Sequence, residues 1–401
     1  MKIEKWIQEH RHDDVNELAL HASRYPEVDM REALVQIRGW QIAEKKLPLW
    51  AQTEDILFPD HLPLEQCSSQ LTAAYKASLI ASLPRREMMT DLTGGFGVDA
   101  AMIARHFGHL TFVEQREDLC RLARHNFPLL GLHDFEVVNA DALDVLPNLP
   151  HQDLIFIDPA RRDVHGRKTV VLSDCAPDVT ELAPQLLDRA DTVMVKLSPM
   201  LDITAALRQL QDVKEVHVIS VDNECKELLL VLSNHSPHSG AYGEPVEPPL
   251  FTCVNIHRDV VSVFFFTRSD EEQSTCRYTS NVATYLYEPN ASVMKACPFR
   301  TLAKRYGLDK LHPNSHLYTS DMFVPDFPGR RFRVEDVVLL NKQTTRQLAW
   351  LRQANLSVRN FPATVADLRR RFRLSDGGDT YLFATTLADM SRVVIVCKRT
   401  E

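Results

Sequence analysis

Met89-Thr90-Asp91-Leu92-Thr93-Gly94-Gly95-Phe96-Gly97-Val98-Asp99 is the stretch that decides how this chain is read. An apolar, strand-like run beginning at Met88 ends in a glycine-rich turn, and Val98-Phe107 then has the pattern of a helix. Glycines at such a turn carry no Cβ, so the backbone can come close to a ligand. The amides at the start of the following helix face a polar or anionic group. Glu114 ends a second strand 17 residues after Gly97, where a carboxylate can take ribose hydroxyls. Gly94, Gly95 and Gly97 alone are equally consistent with a structural turn. Together with Glu114 they point to a bound nucleoside cofactor.

Outward from this motif, strand-like runs alternate with helical ones. The strands are expected at Met88-Leu92, Leu110-Glu114, Phe135-Asn139, Leu154-Asp158, Thr192-Leu197, Glu215-Ser220 and Leu228-Ser233. Continuous apolar strands separated by helices predict a parallel sheet covered on both faces. The last two strands leave no room for a helix between them and must pair antiparallel. The fold class is therefore α/β, Rossmann-like, with a seven-stranded, mostly parallel sheet ending in an antiparallel hairpin. Residues 1–65 read as a helical region, with Leu18, Ala22, Leu34, Ile37 and Ile42 at helix-like intervals. Residues 66–270 form the α/β domain, and Ser236-Pro249 within them has the composition of a loop. Beyond about Tyr278 the tail mixes helices (Ser292-Tyr306, Glu335-Arg352, Val365-Phe372) with short strands, which suggests small α+β units.

The acids around the glycines discriminate between cofactors. A dinucleotide site cradles a pyrophosphate, whereas here Asp91 precedes the turn and Asp99 follows it. S-adenosylmethionine has no phosphate and carries an ammonium that an acid can hold, so this pattern favours it over NAD. Asp141, in Asn139-Ala140-Asp141, ends the third strand, where a carboxylate can read an adenine amino group. It is also a good N-cap for the next helix. The polar start and amphipathic helix of Glu65-Lys76 suit a lid over the methionine end, or an ordinary capped helix.

Leu154-Ile155-Phe156-Ile157-Asp158-Pro159-Ala160-Arg161-Arg162-Asp163 is the expected reaction centre. Its strand delivers Asp158 and Pro159 to the carboxyl edge of the sheet, where open α/β sheets bind ligands. The Asp158 carboxylate and the Pro159 carbonyl can accept hydrogen bonds from a nucleophile and align it for direct displacement, a reaction in which positioning supplies much of the acceleration. Arg161 and Arg162 suit a phosphate or carboxylate, or a salt bridge to Asp163 or Asp174. Lys196, ending the fifth strand, is expected beside the same crevice. Carbon methylation of a pyrimidine usually needs a cysteine nucleophile. Cys175 and Cys225 look poorly placed for that, so nitrogen or oxygen is the expected acceptor.

Taken together, Asp91-Gly97, Val113-Glu114-Gln115 and Ile157-Arg162 resemble the class I S-adenosylmethionine-dependent methyltransferases. Tyr285-Asn290, Leu317-Ser320, Asp326-Arg330, Arg359-Pro362 and Asp376-Gly378 are similar to the bacterial members with a THUMP-like C-terminal domain preceded by a small ferredoxin-like unit. The resemblance places the ferredoxin-like unit at 278–321 and the THUMP-like domain at 322–401. It implies a cofactor site at Asp91, Thr93, Gly94, Gly95, Gly97, Glu114, Gln115, Asp141 and Asp158, and by analogy an RNA substrate, ribosomal or transfer RNA. One departure stands out. Nucleobase amino-methyltransferases commonly carry Asp-Pro-Pro-aromatic, and here Ala160 and Arg161 replace the second proline and the ring.

Bulk properties are those of an ordinary soluble globular protein. Of 401 residues 44% are hydrophobic and 25% charged, and no run is long and apolar enough for a membrane span. The eight scattered cysteines form no Cys-x-x-Cys pair, which argues against a zinc ribbon and suits a reducing cytoplasm. No metal site is expected. A net charge of −8 excludes a protein that coats nucleic acid indiscriminately, yet Lys295 to Arg373 holds 16 Lys or Arg against 6 Asp or Glu. Arg330-Arg331-Phe332-Arg333 and Arg369-Arg370-Arg371-Phe372-Arg373 interleave arginine with aromatics, as in sites that stack on unpaired bases. An amphipathic helix with Leu368 and Phe372 in a core explains the second equally well. The leading expectation is an RNA methyltransferase. The alternatives are a non-catalytic RNA-binding or assembly factor that keeps the fold, and a small-molecule or protein methyltransferase that does not need residues 279–401.

Overall fold

Gln152–Ile157 is buried at every position, as expected of a Leu-, Ile- and Phe-rich strand covered on both faces. The computed structural model describes residues 3–161, 172–233 and 248–400. The chain divides into two compact units, Met1–Glu215 with Glu227–Pro245, and Val216–Lys226 with Val246–Glu401.

The first unit opens with helices α1 (Ile3–His10), α2 (Val15–Leu20), α3 (Met30–Lys46), α4 (Pro48–Gln52) and α5 (His61–Gln66). Trp6, Val15, Leu18, Val28, Ala33 and Ile37 form the common core of α1, α2 and α3. Asp14 and Asp29 cap α2 and α3 by accepting backbone N–H bonds. Helix α6 (Gln70–Leu79), capped by Ser69, leads to the sheet. Its strands are β1 (Met88–Asp91), β2 (His109–Glu114), β3 (Phe135–Asn139), β4 (Gln152–Ile157) and, after the short β5 (Ala160–Arg161) and β6 (Cys175–Ala176), β7 (Ala190–Leu197). Between them run α7 (Val98–Ile103), α8 (Glu117–Leu129), α9 (Ala142–Val145) and α10 (Val179–Arg189), and α11 (Ile203–Gln209) follows β7. Strand β1 pairs in parallel with both β2 and β4, β2 with β3, and β4 with β7. Beyond β7 comes the later part of β9 (Glu224–Leu232), antiparallel to it.

In the second unit, Asp222 and Asn223, both with positive φ (50° and 63°), turn β8 (Val213–Val221) into β9. Two such residues in succession are the signature of a tight hairpin turn. β8 and β9 therefore form the expected antiparallel hairpin. The fold is that of a class I methyltransferase. β10 (Leu250–His257) neighbours β8 and pairs antiparallel with β11 (Val260–Phe266), and α12 (Arg268–Gln273) follows.

The C-terminal seven-stranded sheet is built from β12 (Tyr285–Pro289), β13 (Asp309–Lys310), β14 (Tyr318–Ser320), β15 (Gly329–Leu339), β16 (Asn355–Arg359), β17 (Thr380–Thr386) and β18 (Arg392–Arg399), in the order β13-β14-β12-β15-β18-β17-β16. It carries α13 (Ala291–Ala296), α14 (Phe299–Tyr306), α15 (Thr344–Gln347) and α16 (Val365–Phe372). One apolar cluster contains Leu368, Phe372 and Val394, and another contains Leu286, Phe332 and Phe383. Two expectations are corrected here. The helix read over Glu335-Arg352 is strand as far as Leu339, because pairing with β18 across a bulge at Val334/Asp336 overrides local propensity and scrambles the period-two pattern. The helix read over Ser292-Tyr306 is two helices, broken where Cys297 turns left-handed ahead of Pro298.

Candidate functional site

The glycine turn leaves β1 against a wall of two buried rings. A Cβ on Gly94 would stand 2.2 Å from the Phe112 ring, and one on Gly97 would meet Phe127 at 2.8 Å. Phe112 and Phe127 pack edge to face behind them. Gly95 differs: its φ of +58° favours glycine, but a Cβ there would meet only the Thr93 carbonyl oxygen, at an ordinary 3.8 Å. The Gly95 amide donates to Glu114 Oε2 at 2.7 Å, and the Arg116 amide donates to Glu114 Oε1 at 2.8 Å. On the neighbouring edge, Gln115 Nε2 donates to Asp141 Oδ2 at 2.7 Å, while Asp141 Oδ1 caps α9 through the Leu143 amide. Asp141 thus fills its capping role and keeps its contact with Gln115 as well.

Asp91 ends β1 fully enclosed, and its Oδ1 accepts the Thr93 amide at 2.9 Å. Burial pushes its pKa up to about 8. The Thr93 bond opposes that rise, and the negative charges of Asp99, Asp158 and Glu114 add to it. Thr93 also ties the turn to the Asp-Pro segment, because the Asp158 amide donates to Thr93 Oγ1 at 2.6 Å. The Asp158 carboxylate is about a third exposed and takes Lys196 Nζ at 2.5 Å. Pro159 is buried beside it.

A buried ion network stands behind this pair. Lys196 Nζ lies 3.6 Å from Asp99 Oδ2, and Asp99 Oδ1 faces Lys76 Nζ at 3.0 Å. Lys76, completely buried, reaches Glu227 Oε1 at 2.5 Å and Ser68 Oγ at 3.1 Å, and Ser68 donates to Asp99 Oδ2 at 2.7 Å. Burial works against the charge on Lys196, yet Asp158, Asp99 and Glu227 outweigh it and hold its pKa above the ordinary lysine range. Burial likewise opposes the charge on Asp99, but Lys76, Lys196 and the Ser68 hydroxyl keep its carboxyl below the usual range. Asp99 is therefore occupied by lysines, contrary to the expectation that it is free to hold a cofactor's ammonium. The sequence offered Ser68 and Lys76 only as parts of a lid or capped helix, and Glu227 was missed. Lys76 and Glu227 are 151 residues apart, and no local pattern marks either.

The structure thus brings Asp91, Thr93, Gly94, Gly95, Gly97, Glu114, Asp158, Pro159 and Lys196 together around one turn, with Gln115 and Asp141 at the adjoining strand ends. Arg161 enters through its backbone, as the register partner of Cys175 in the β5–β6 ladder. That pairing sets Cys175, read from the sequence as poorly placed for a nucleophile, opposite the Asp-Pro segment, and its side chain is buried. Arg162 and Asp163 lie outside the described residues. Among those described, no group of His, Cys, Asp or Glu is arranged to hold a metal, and no helix is long and apolar enough to cross a membrane. The surroundings of the turn are carboxylates, and the two lysines nearby are already paired. Such a site fits a cationic sulfonium nucleoside and would repel a pyrophosphate.

In the C-terminal part, both aromatics of the arginine-rich motifs are buried core residues, Phe332 at 0% and Phe372 at 3% exposure. They cannot stack on bases, which corrects that reading. Arg330 and Arg359 pair with the buried Glu288, Arg369 with Asp376 and Arg370 with Asp367. The most exposed aromatic there is Trp350, at 62%, ahead of Tyr278 and Phe323, and sequence reasoning passed over it. It stands on a segment where Lys342, Arg346 and Arg352 are exposed and form no ion pair among the described residues. Arg371 donates to Asn341 O, and the Ser375 amide donates to Arg352 O, so the end of α16, with the exposed Arg373, adjoins the same surface.

Comparison with known proteins agrees with both halves. Family models match a ferredoxin-like domain over residues 285–328 and a THUMP-like domain over residues 329–399. The crystal structure of a "putative methyltransferase" from Porphyromonas gingivalis W83 is 33% identical. It superposes with a TM-score of 0.87, covering 100% of this chain and 98% of that one. Uncharacterized S-adenosylmethionine-dependent methyltransferases of two Mycobacterium tuberculosis strains, CDC 1551 / Oshkosh and H37Rv, are each 25% identical over 79% of this chain and 81% of their own length. Glycine turn, sheet order and C-terminal domains converge on one assignment: the chain belongs to the class I S-adenosylmethionine-dependent methyltransferases that end in a ferredoxin-like and a THUMP-like domain.

Proposed function

We propose that this methyltransferase modifies RNA, ribosomal or transfer RNA, at a nitrogen or oxygen atom. The observation that carries the choice of RNA is the exposed Trp350 among Lys342, Arg346, Arg352 and Arg373. An indole plane offers stacking to any unpaired base, and the surrounding cations meet its phosphates. On a chain of net charge −8, so local a basic surface favours a polyanion held in one place.

In this reading the cofactor is held by Asp91, Thr93, Gly94, Gly95 and Gly97 at the turn, by Glu114 and Gln115 after β2, and by Asp141, with Asp158 at its reactive end. Bound there, S-adenosylmethionine supplies a methyl group activated by positive sulfur. The chain's own residues do the rest by positioning. Lys196 holds the Asp158 carboxylate at the crevice. That carboxylate and the Pro159 carbonyl accept hydrogen bonds from the N–H or O–H of the acceptor and orient its lone pair. Arg161 and Arg162 contact the substrate's phosphates.

The test is transfer of labelled methyl from S-adenosylmethionine to total RNA from a strain lacking this gene, with wild-type RNA as control. Label confined to the knockout RNA is the expected result. Cofactor binding without label in any RNA would move the assignment to a small-molecule or protein acceptor, or to a non-catalytic role.

A further inference from the structure

Lysine is among the residues least often buried, and here Lys76 has no exposed surface at all. Such a residue persists only where its charge is compensated, and the structure does so with hydrogen bonds to Glu227 and Ser68 and an ion pair with Asp99. The arrangement runs as a chain of alternating charge: Glu227, Lys76, Asp99, Lys196, Asp158. Only its last member is substantially exposed to the crevice.

The weak link is informative. Lys196 stands between two carboxylates and sits much closer to Asp158, at 2.5 Å, than to Asp99, at 3.6 Å. Asp99 is the more deeply buried of the two, and a buried carboxylate needs a cation more than a partly solvated one does. Left to themselves, Asp99 would win Lys196. What prevents this is Lys76, which engages the far oxygen of Asp99 while Ser68 donates to the near one.

We infer that Lys76 is a positioning residue for methyl transfer: by satisfying Asp99 it leaves Lys196 to Asp158, and so fixes the carboxylate that receives the acceptor. The inference rests on the role given to Asp158 above. It assigns a function in the reaction to α6 and to the polar run before it, with Ser68 and Glu227 as the groups that hold Lys76 in place.

The experiment compares Lys76→Met, Lys76→Gln and Lys76→Arg in the full chain, and Lys76→Gln decides if the methionine variant does not fold. The first readout needs no acceptor. It is the ammonium nitrogen resonance of Lys196, assigned by its disappearance in Lys196→Arg. Lys76→Met and Lys76→Gln should move this resonance as Lys196 turns to Asp99, and Lys76→Arg should leave it near its wild-type position. The second readout sets cofactor affinity, from calorimetric titration with S-adenosylmethionine, against methyl transfer to RNA at saturating cofactor. The transfer rate should fall roughly 10- to 100-fold, the scale of a misplacement near 1 Å. Affinity should change by less than about threefold, and Lys76→Arg should recover most of the rate. A Lys196 resonance that stays in place in a folded Lys76→Gln protein would overturn the inference. So would a loss of rate matched by an equal loss of affinity. Absence of RNA methylation by the wild-type protein would instead remove the proposed substrate, and the resonance would still decide the role of Lys76.

Discussion

Gly94→Ala is the substitution whose consequence the geometry specifies most sharply. The added Cβ would stand 2.2 Å from the Phe112 ring, and ordinary contact begins near 3.4 Å, so turn and ring must separate by about 1.2 Å. The ring cannot supply that movement. Phe112 is completely buried and packs edge to face on Phe127, which is itself buried, meets Phe135 and backs Gly97. The turn must give instead, and it carries the Gly95 amide on Glu114 and, through Thr93, the amide of Asp158. Overpacking of this kind costs about 1–3 kcal/mol of stability, and displacement of a binding element by about 1 Å costs on the order of 100-fold. Calorimetry with S-adenosylmethionine should therefore show affinity about 100-fold weaker, beside a modest fall in Tm. Adding Phe112→Leu, which vacates the space, should return a large part of the affinity. Gly94→Ala binding within about twofold of wild type, or a double variant no better than the single one, would refute the steric argument.

Asp158→Asn should lower methyl transfer by about 100-fold or more while RNA affinity in a filter or anisotropy assay stays unchanged, and undiminished transfer would remove Asp158 from the reaction. Trp350→Ala should weaken RNA binding by about 1–3 kcal/mol without altering its salt dependence. Arg352→Ala should instead reduce the slope of log affinity against log salt by about one, and a Trp350→Ala protein that binds RNA normally would remove the platform. Cys175→Ser should keep transfer within a few-fold, since a nitrogen or oxygen acceptor needs no cysteine nucleophile; complete loss would indicate carbon methylation. Because the folded-state pKa of Asp91 is raised to about 8, its contribution to stability is full below about pH 4 and is lost as pH climbs through about 8. A cation that binds the ionised form should then release up to about one proton near neutral pH. Calorimetry in buffers of different ionisation enthalpy should detect that proton, and Asp91→Asn should abolish it.

Much of the architecture was open to reading because its causes are local. Strands such as Gln152–Ile157 and Ala190–Leu197 are apolar along most of their length, which follows directly from burial on both faces of a parallel sheet. The turn at Gly94–Gly97 was equally visible, since backbone approach and positive φ select glycine whatever surrounds it. Where the reading failed, the cause lay elsewhere in the chain. Glu335 to Leu339 is strand because β18 pairs with it and a bulge at Val334/Asp336 resets which residues face inward. Phe332 and Phe372 sit in arginine-rich motifs that suggest base stacking, yet the sheet needs both rings for its two cores.

The site divides along the same line. Glu114, Asp158 and Lys196 were identifiable because each ends a strand at the carboxyl edge of the sheet, a position that topology alone makes functional. What those residues do there depends on partners that no spacing announces. Asp99 looked like a free acid beside the glycines, and it is instead the shared counter-ion of Lys76 and Lys196. Lys76 lay within a stretch that reads as a lid or an ordinary capped helix, and it is the most deeply buried cation described. A buried charge is legible only through its compensation, and here the compensation comes from Glu227, which reaches Lys76 only once the antiparallel strand β9 is laid against β7. The hairpin that distinguishes this sheet from an all-parallel one therefore has a chemical use as well as a topological one: it brings in the carboxylate that holds Lys76, and through Lys76 and Asp99 the state of the crevice at Asp158.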